Sequence, residues 1–432
     1  MTDIYEIAEY TLEALKKSGA DAAQCIVSKS KKDELNVDGG KFSLMRSTFN
    51  TSISMKAIKD GKKGVTSINQ ATKEAIDGAA AQCISAAQSS VPDEAEQIAP
   101  FTAKAEYNTG VFEPELDKLF DRIEEFMSQT AAEYPKIILE QLISDYEHSE
   151  KLYMNTNGTS LKYEHGEYSF NTMFSAHEGE KASSFNGYFC ALNSLNKPFM
   201  DAGMQRQLLA ESEKQLDTVS PSEKFVGRVI YSPDCFNELL QTALENFASS
   251  GVLIDGTSPW KDALNTKVAS QKLNLRSVPL DGRTVVGQRF TSDGYPVEDM
   301  DIIIDGVLKT FILSQYGANK TGFPRSLNSG NNLEVLPGDK ALEEMISGID
   351  RGLIVNRFSG GQPSSNGDFS GVAKNSFLIE NGKVVSAVSE TMISGNIIDM
   401  LNNIVAVSKE QTTDGFSFMP WAEFDGVTVS GK

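Results

Sequence analysis

Turn-forming dipeptides recur along this chain and constrain its fold more than any other feature. Asn-Gly and Asp-Gly pairs favour the tight turns between antiparallel strands, because both residue types tolerate positive φ. Six of them stand where two extended segments could meet: Asp60-Gly61, Asn157-Gly158, Asp281-Gly282, Asp293-Gly294, Asp305-Gly306 and Asn381-Gly382. They predict hairpins, and the three pairs that are twelve residues apart predict a strand meander.

Two kinds of periodicity lie between these turns. Alternating apolar and polar residues predict strands across 137–192, and four short strands at about 22–29, 33–37, 42–48 and 51–58. Apolar residues at helical spacing predict helices at 3–17, 71–88, 114–133, 201–217, 235–249 and 395–406. We therefore predict an α+β fold, in which N-terminal α/β units with antiparallel sheets are followed by a β-rich C-terminal domain.

The length of 432 residues is too great for a single hydrophobic core and predicts several domains. Segments 89–113 and 220–224 are rich in Ser, Pro and Glu and have the character of linkers. They divide the chain into an N-terminal α+β domain (1–90), a central helix-plus-antiparallel-sheet domain (91–219) and a C-terminal β-rich domain (220–432).

Charge and cysteine content restrict the partners and the compartment. The net charge of -19, without a Lys/Arg-rich run, argues against direct contact with nucleic acid. No stretch approaches the ~20 apolar residues of a membrane span, and the first residues do not resemble a signal peptide. The four cysteines are far apart, which predicts reduced, buried thiols. We expect a cytoplasmic protein without membrane contact.

The three histidines form no metal-binding pattern. His177-Glu178 could begin a zinc helix, but no second histidine follows at helical spacing, and His148 and His165 stand alone. We expect all three to be exposed or strand-end residues. Glu238 and Glu245 share a face of the predicted helix 235–249, which is typical of a solvated helix face. No catalytic residue, metal ligand or cofactor follows from these patterns.

The segment Arg357–Gly371 is rich in Gly and Ser and is the most distinctive in the chain. A phosphate loop would precede a helix, whereas here a strand follows and Asp368 would repel phosphate. A serine nucleophile would need a base nearby, and no histidine lies in this part of the chain, so we reject that interpretation as well. Two alternatives stay open, a flexible binding loop and a plain connector. Downstream, Ser394 has the character of a helix N-cap, and Glu390 could be a strand-end charge or an acid near this loop.

Several C-terminal segments resemble the TldD/PmbA family, whose members were also labelled modulators of DNA gyrase. The main motifs are 352–361, 366–373, 377–382 and 389–396, and weaker ones are Thr257-Ser258, 267–270 and 304–309. The resemblance extends over most of the chain, with strong motifs from about residue 250 onward. It implies a cytosolic two-subunit metalloprotease, in which TldD carries a His-Glu-x-x-x-His zinc helix and a distant Cys ligand.

The second subunit of that family, TldE or PmbA, lacks these ligands and shapes the substrate channel. In this chain the corresponding positions hold Gln241, Thr242 and Asn246, and no cysteine follows Cys235. The resemblance therefore implies a TldE/PmbA-type subunit that has no catalytic residue or metal ligand of its own. Its partner would be a zinc-bearing TldD-like subunit, its substrates would be unfolded peptides, and it could form a homodimer when alone.

We expect the distinctive C-terminal motifs to face the partner or the peptide: Arg357, Gly360, Asp368, Ser370, Glu390, Gly395 and Asn396. Two other functions remain open. One is a regulatory protein that modulates DNA gyrase through protein–protein contact. The other is a stand-alone hydrolase in which Asp368 and Glu390 act as a carboxylate pair, which requires the two carboxyl groups to lie within a few ångströms.

Overall fold

A computed structural model describes residues 3–221, 223–361, 363–389 and 391–431. Within these ranges the helices are α1 (Ile4–Lys17), α2 (Lys73–Ser89), α3 (Leu116–Glu133), α4 (Gln205–Lys214), α5 (Pro233–Phe247), α6 (Ser250–Ile254), α7 (Gln315–Thr321), α8 (Leu342–Ser347) and α9 (Ile397–Asn402), with a short 3-10 helix at Phe199–Asp201. None of these helices is both long and apolar enough to cross a membrane.

The strands fall into an N-terminal and a C-terminal group. The first group is β1 (Ala22–Asp38), β2 (Lys41–Lys59), β3 (Lys62–Ile68), β4 (Lys104–Gly110), β5 (Ile137–Asn155), β6 (Ser160–Glu178), β7 (Lys181–Ala182) and β8 (Asn186–Leu192). The second group is β9 (Thr218–Val219), β10 (Phe225–Tyr231), β11 (Leu275–Ser277), β12 (Met300–Ile304), β13 (Val307–Leu308), β14 (Leu333–Val335), β15 (Arg351–Val355), β16 (Arg357–Gly360), β17 (Asp368–Lys374), β18 (Ser376–Glu380), β19 (Lys383–Val388), β20 (Met392–Asn396), β21 (Ile404–Thr413) and β22 (Phe418–Ser430).

The N-terminal sheet is mostly antiparallel and has the order β3-β2-β1-β5-β6-β4, with β7 and β8 also paired to β6. Two of its strands replace the four short ones that we predicted in 22–58, because the chain reverses only at Gly39-Gly40, where both φ angles are positive. The predicted turn at Asp60-Gly61 is confirmed. Strand β4 lies inside 89–113, where we predicted a linker and no strand, so that prediction is wrong for 104–110.

This sheet joins strands from the first two predicted domains, since β1 pairs with β5 from Gln24↔Asn155 to Asp38↔Gln141. Helices α1 and α2 cover part of it through buried residues such as Ile7, Leu15 and Ile76. The predicted boundary between residues 90 and 91 therefore does not divide the chain into two separate sheets. The three-domain division as a whole stays a prediction.

The C-terminal sheet is mixed, and β22 lies near its centre, paired with β10, β14, β20 and β21. The hairpin at Asn381-Gly382 is confirmed, and so is the turn at Asp305-Gly306. The predicted meander is otherwise wrong, because the described residues around Asp281-Gly282 and Asp293-Gly294 form irregular loops rather than strands. With an antiparallel N-terminal sheet, a larger mixed sheet and helices between strands, the α+β class is confirmed.

Candidate functional site

Helix α5 connects the C-terminal sheet to a groove at the molecular surface. It follows β10, a strand paired on both sides by β15 and β22. Ser232 caps its first turn by accepting a hydrogen bond from the Cys235 N–H at 3.4 Å, and Pro233 occupies the first turn. Its apolar face, which includes Phe236 and Phe247, is buried in the C-terminal core. The helix therefore starts and ends two residues earlier than predicted.

The outer surface of α5 carries the three positions that a zinc helix would use. The Gln241 amide donates a long hydrogen bond of 3.5 Å to Asn237 Oδ1, and the Thr242 hydroxyl donates one of 2.8 Å to the Glu238 carbonyl. Asn246 is half-buried one turn later. Burial raises the pKa of the nearby Cys235 thiol to about 12, which keeps it protonated and a poor ligand. Among the described residues, no group of three or more His, Cys, Asp and Glu could hold a metal ion.

A groove of about 670 Å³ runs along α5, and we call it the helix groove. One wall is the helix itself, with Asp234, Asn237, Glu238 and Gln241. The facing wall comes from strands of the N-terminal sheet and from the chain before β8, and Arg357 and Asp414 also line the groove. The facing residues combine polar and aromatic groups: Gln141, Asn171, Met173, Phe185, Tyr188 and Phe189.

Three carboxylates make the helix groove acidic. The Asp234 side chain is open to the groove but has protein on its other sides, and this burial raises its pKa to about 6, assisted by the charges of Asp414 and Glu238. Burial also raises the pKa of Glu238, and the positive charge of Arg357 partly opposes that rise. Arg357 is held in place by a 3.0 Å hydrogen bond from its Nη1 to the Phe185 carbonyl.

The raised pKa of Asp234 makes stability depend on pH. Because its folded pKa of about 6 exceeds the ordinary value of 3.8, the folded state binds more protons between these values, and stability falls as pH rises through that window. Asp234→Asn lacks this dependence, so we expect it to gain stability relative to the native chain between pH 4 and 7. After allowing for solvent on the open side, the gain should be about 1 kcal/mol.

Urea unfolding at several pH values measures this difference. The exposed Asp262→Asn variant is the matched control, since it removes the same charge outside the groove. A gap between native and Asp234→Asn stability that stays constant from pH 4 to 7 would contradict the account.

The prediction of a loop throughout 357–371 is wrong at both ends, where strands form a β-hairpin, whereas the described residues between them, 361 and 363–367, belong to no strand. Strands β16 and β17 pair from Arg357↔Lys374 to Gly360↔Gly371, and β17 pairs in turn with β20. The hairpin borders a smaller cavity of about 260 Å³ on the other side of Glu238, with Tyr231, Leu239, Thr242, Phe358, Phe369 and Ile397 among its walls. Helix α5 is thus flanked by two cavities that share Glu238.

Most of the predicted partner-facing residues lie together on this three-stranded unit. Asp368 stands opposite Asn396, and the strand partner of Ser370 is Ser394, next to Gly395. Arg357 is separated from them because its side chain turns to the helix groove. At Gly360 an added Cβ would lie 2.6 Å from the Phe358 ring and 2.8 Å from the Ser370 carbonyl, so glycine permits the close strand pairing there.

Asp368 is bound inside the hairpin unit. Its two oxygens accept hydrogen bonds of 2.9 Å from the side-chain amides of Asn396 and Asn366, which hold the pKa of its carboxyl below the usual range. Glu390 lies outside the described residues, so the carboxylate-pair hydrolase stays a prediction. Asn396 is the N-cap of α9. The prediction that Ser394 is the cap is wrong, because Ser394 pairs in β20. The helix is also shorter than the predicted 395–406.

Two further outcomes concern residue types. All four cysteines are free and buried, as predicted. The expectation for the histidines is wrong for His165, which is only 3% exposed and contacts Thr109 and Glu167.

Sequence analysis did not single out Asp234 or Asp414. The four-residue spacing of Asp234 and Glu238 places them on one helix face and could have indicated an acidic surface there. Asp414 lies just after β21, far from both of them in sequence.

Comparison with known proteins identifies the family. Residues 224–431 match the PmbA/TldA metallopeptidase C-terminal domain, and residues 23–87 match PmbA/TldA metallopeptidase domain 1. Together the two segments cover more than half of the chain.

Curated relatives match in part. The chain is 32% identical to the metalloprotease PmbA of Escherichia coli O157:H7 over 155 residues, which are 35% of this chain and 34% of that protein. It is 27% identical to a zinc metalloprotease TldD homologue of Saccharolobus solfataricus over 220 residues, which are 47% of this chain and 49% of that protein. These alignments span about a third to a half of the relatives' lengths.

Solved structures match over the whole length. TldE from Thermococcus kodakarensis superposes with a TM-score of 0.82 at 21% identity, covering 98% of this chain and 100% of that one. A candidate modulator of DNA gyrase from Bacteroides thetaiotaomicron superposes with a TM-score of 0.83 at 24% identity, covering 100% of both chains. At these identities the structures establish the fold alone. The family follows from the matches to its two domain models, which cover more than half of the chain: the chain belongs to the TldD/PmbA metallopeptidases.

Proposed function

We propose that this chain is a non-catalytic TldE/PmbA-type subunit. It pairs with a zinc-bearing TldD-like chain in a cytoplasmic heterodimeric metalloprotease and helps unfolded peptides reach the partner's active site. In this proposal the partner holds the zinc and this chain holds no cofactor.

The surface of helix α5 carries the proposal. A hydrolytic zinc site needs imidazole, thiolate or carboxylate ligands and a base that activates water. The positions that correspond to such a site hold Gln241, Thr242 and Asn246, whose amides and hydroxyl are poor zinc ligands. Two of these side chains are already used in hydrogen bonds within the helix. In this proposal the helix keeps its place in the family's fold but lacks the side chains that would bind zinc.

The helix groove supports a role in handling peptides. Its volume of about 670 Å³ is sufficient for several residues of an extended chain, and its walls offer both aromatic surfaces and polar groups. An unfolded peptide presents both kinds of side chain. The groove also lies directly beside α5, so a peptide held there would be close to the helix position at which a catalytic relative carries its metal.

The three-stranded unit β16-β17-β20 is the surface that we assign to the partner or to the peptide, together with Arg357. An obligate interface should bury more than about 2,000 Å² in total, which requires a broad surface rather than the hairpin alone. Without its partner, the same surface would favour a homodimer.

Affinity capture from cell extract with the tagged full-length chain tests the proposal. We expect recovery of a TldD-like protein that carries the His-Glu-x-x-x-His motif. The variant Arg357→Ala should lower recovery of the partner or turnover of peptide by the assembly, whereas the exposed Lys383→Ala should change neither.

The same experiment tests a second candidate, the modulation of DNA gyrase by protein–protein contact. Structural neighbours from Bacteroides thetaiotaomicron and Thermotoga maritima that are named as candidate modulators of DNA gyrase favour it. The net charge of -19 opposes a direct contact with DNA but allows one with gyrase. Recovery of gyrase without any TldD-like protein would overturn the subunit role in favour of this alternative.

A further inference from the structure

A third cavity, of about 560 Å³, shares no lining residue with the two beside helix α5, and we call it the sheet pocket. Its floor is one face of the N-terminal sheet, formed by β1, β2, β5 and β6, and its other wall is the segment 286–290 of the C-terminal part. Its volume lies within the range of about 300–1,000 Å³ that is usual for small-molecule sites.

The floor of the sheet pocket is a regular array of polar side chains. Lys151 on β5 lies directly opposite Ser28 on β1 and Tyr163 on β6. In the next row, Ser149 lies opposite Ser30 and His165. Directly opposed residues have Cβ atoms about 4.5–5.5 Å apart, so the Lys151 amine and the hydroxyl of Ser28 can reach a common ligand.

Lys151 is the residue in this array that lacks a counter-ion. In the ranges that the structure describes, no carboxylate lies within salt-bridge distance of its Nζ, which lies over the Phe290 ring, 5.7 Å from the ring centroid. The side chain is half-buried, and this desolvation lowers the pKa of its amine. An ammonium that is partly removed from water and has no anion beside it is costly, and an anionic ligand in the pocket would offset that cost.

The acidic residues around the sheet pocket do not supply that anion, because each lies beside another basic group rather than beside Lys151. Each has a cationic or imidazole partner at 3.0 Å: Glu147 with Lys32, Glu150 with Lys162, and Glu167 with His165. A second cation, Arg289, faces the pocket with its guanidinium 5.6 Å from the Tyr163 ring. Hydrogen bonds from its Nη1 to the carbonyls of Pro279 and Gln288, 2.6 and 3.1 Å long, fix its position.

We propose that the sheet pocket binds a small molecule that carries an oxyanion, a carboxylate or a phosphate, with Lys151 as its counter-ion. Ser28 and Ser30 donate hydrogen bonds to the same group, and Arg289 supplies the second positive charge on the opposite wall. This site does not depend on the subunit role proposed above, because it uses neither helix α5 nor the hairpin.

Calorimetric titration of the full-length chain with inorganic phosphate, and separately with acetate, tests the site at constant ionic strength. We expect at least one anion to bind, and Lys151→Met to weaken that binding about tenfold or more, since a charge-assisted hydrogen bond is lost. Lys383→Met, which removes an exposed lysine of β19, should bind as the native chain does. Binding of phosphate alone identifies a phosphate-bearing ligand, and binding of acetate as well identifies a carboxylate.

A second measurement keeps the test valid if Lys151→Met folds poorly. Reductive methylation of the native chain, followed by peptide mass spectrometry, reports the accessibility of each lysine amine. An anion at ten times its Kd should slow the labelling of Lys151 about tenfold and leave Lys383 unchanged. The proposal is overturned if neither anion binds the native chain, if Lys151→Met binds as tightly, or if the anion does not protect Lys151.

Discussion

Phe424→Ala is expected to lower the free energy of unfolding by about 3–5 kcal/mol, because it removes a large ring from a site that cannot close around the gap. Phe424 is fully buried on β22, the strand near the centre of the C-terminal sheet. Its ring lies 5.2 Å from that of Tyr231 and 5.8 Å from that of Phe236, both with edge-to-face geometry. It therefore packs against helix α5 through Phe236 and supports the helix that lines the groove.

Urea unfolding followed by circular dichroism measures this loss. Phe424→Leu is the matched control, since it keeps most of the apolar volume and should cost much less than Phe424→Ala. Equal stability of the native chain and Phe424→Ala would mean that β22 does not hold the helix as described.

Gly64→Ala should destabilise the N-terminal part by about 1–3 kcal/mol through overpacking. A Cβ at Gly64 on β3 would stand 1.9 Å from the Cys83 carbonyl oxygen and 2.7 Å from the Ala87 nitrogen, both in α2. These neighbours are backbone atoms of a packed helix, so the helix would have to move away from the sheet.

Gly78→Ala provides the control within the same helix. Gly78 is exposed in α2, and a Cβ there meets no atom within 4 Å. Alanine in a helix interior should stabilise by about 0.5–1 kcal/mol. Opposite signs for the two substitutions, measured by thermal or urea unfolding, support the close approach of α2 to β3, and a neutral Gly64→Ala would contradict it.

The fold class could be predicted because it depends on local patterns. Residues 116–133 form a helix whose buried residues Leu119, Ile123 and Phe126 have helical spacing, and Asn381-Gly382 turns the chain where its dipeptide indicates. The long hairpin β1–β2 could not be predicted as two unbroken strands, because much of β2 is exposed on both faces and its sequence does not alternate clearly. Strand β4 was missed for a related reason, since it pairs at the sheet edge and its burial is only partial.

The candidate site depended on the family resemblance and on contacts that are distant in sequence. Local spacing places Asp234 and Glu238 on one helix face, but only the folded chain brings Asp414 and Arg357 to the same groove. The hairpin was mistaken for a loop because Gly and Ser are frequent in both, and β17 is held not only by β16 but also by β20, which is twenty or more residues away. Asp368 likewise acquires one of its two amide partners, Asn396, through that pairing.

Hydrolysis of an unfolded peptide by the purified full-length chain tests the central claim most directly. The chain is assayed alone, alone with added zinc, and together with a zinc-bearing TldD-like partner, each with and without a chelator. We predict no hydrolysis by the chain alone in either condition, and hydrolysis by the mixture that the chelator abolishes. Robust, chelator-sensitive hydrolysis by the chain alone would contradict the account, because it would require a catalytic metal site that helix α5 does not provide.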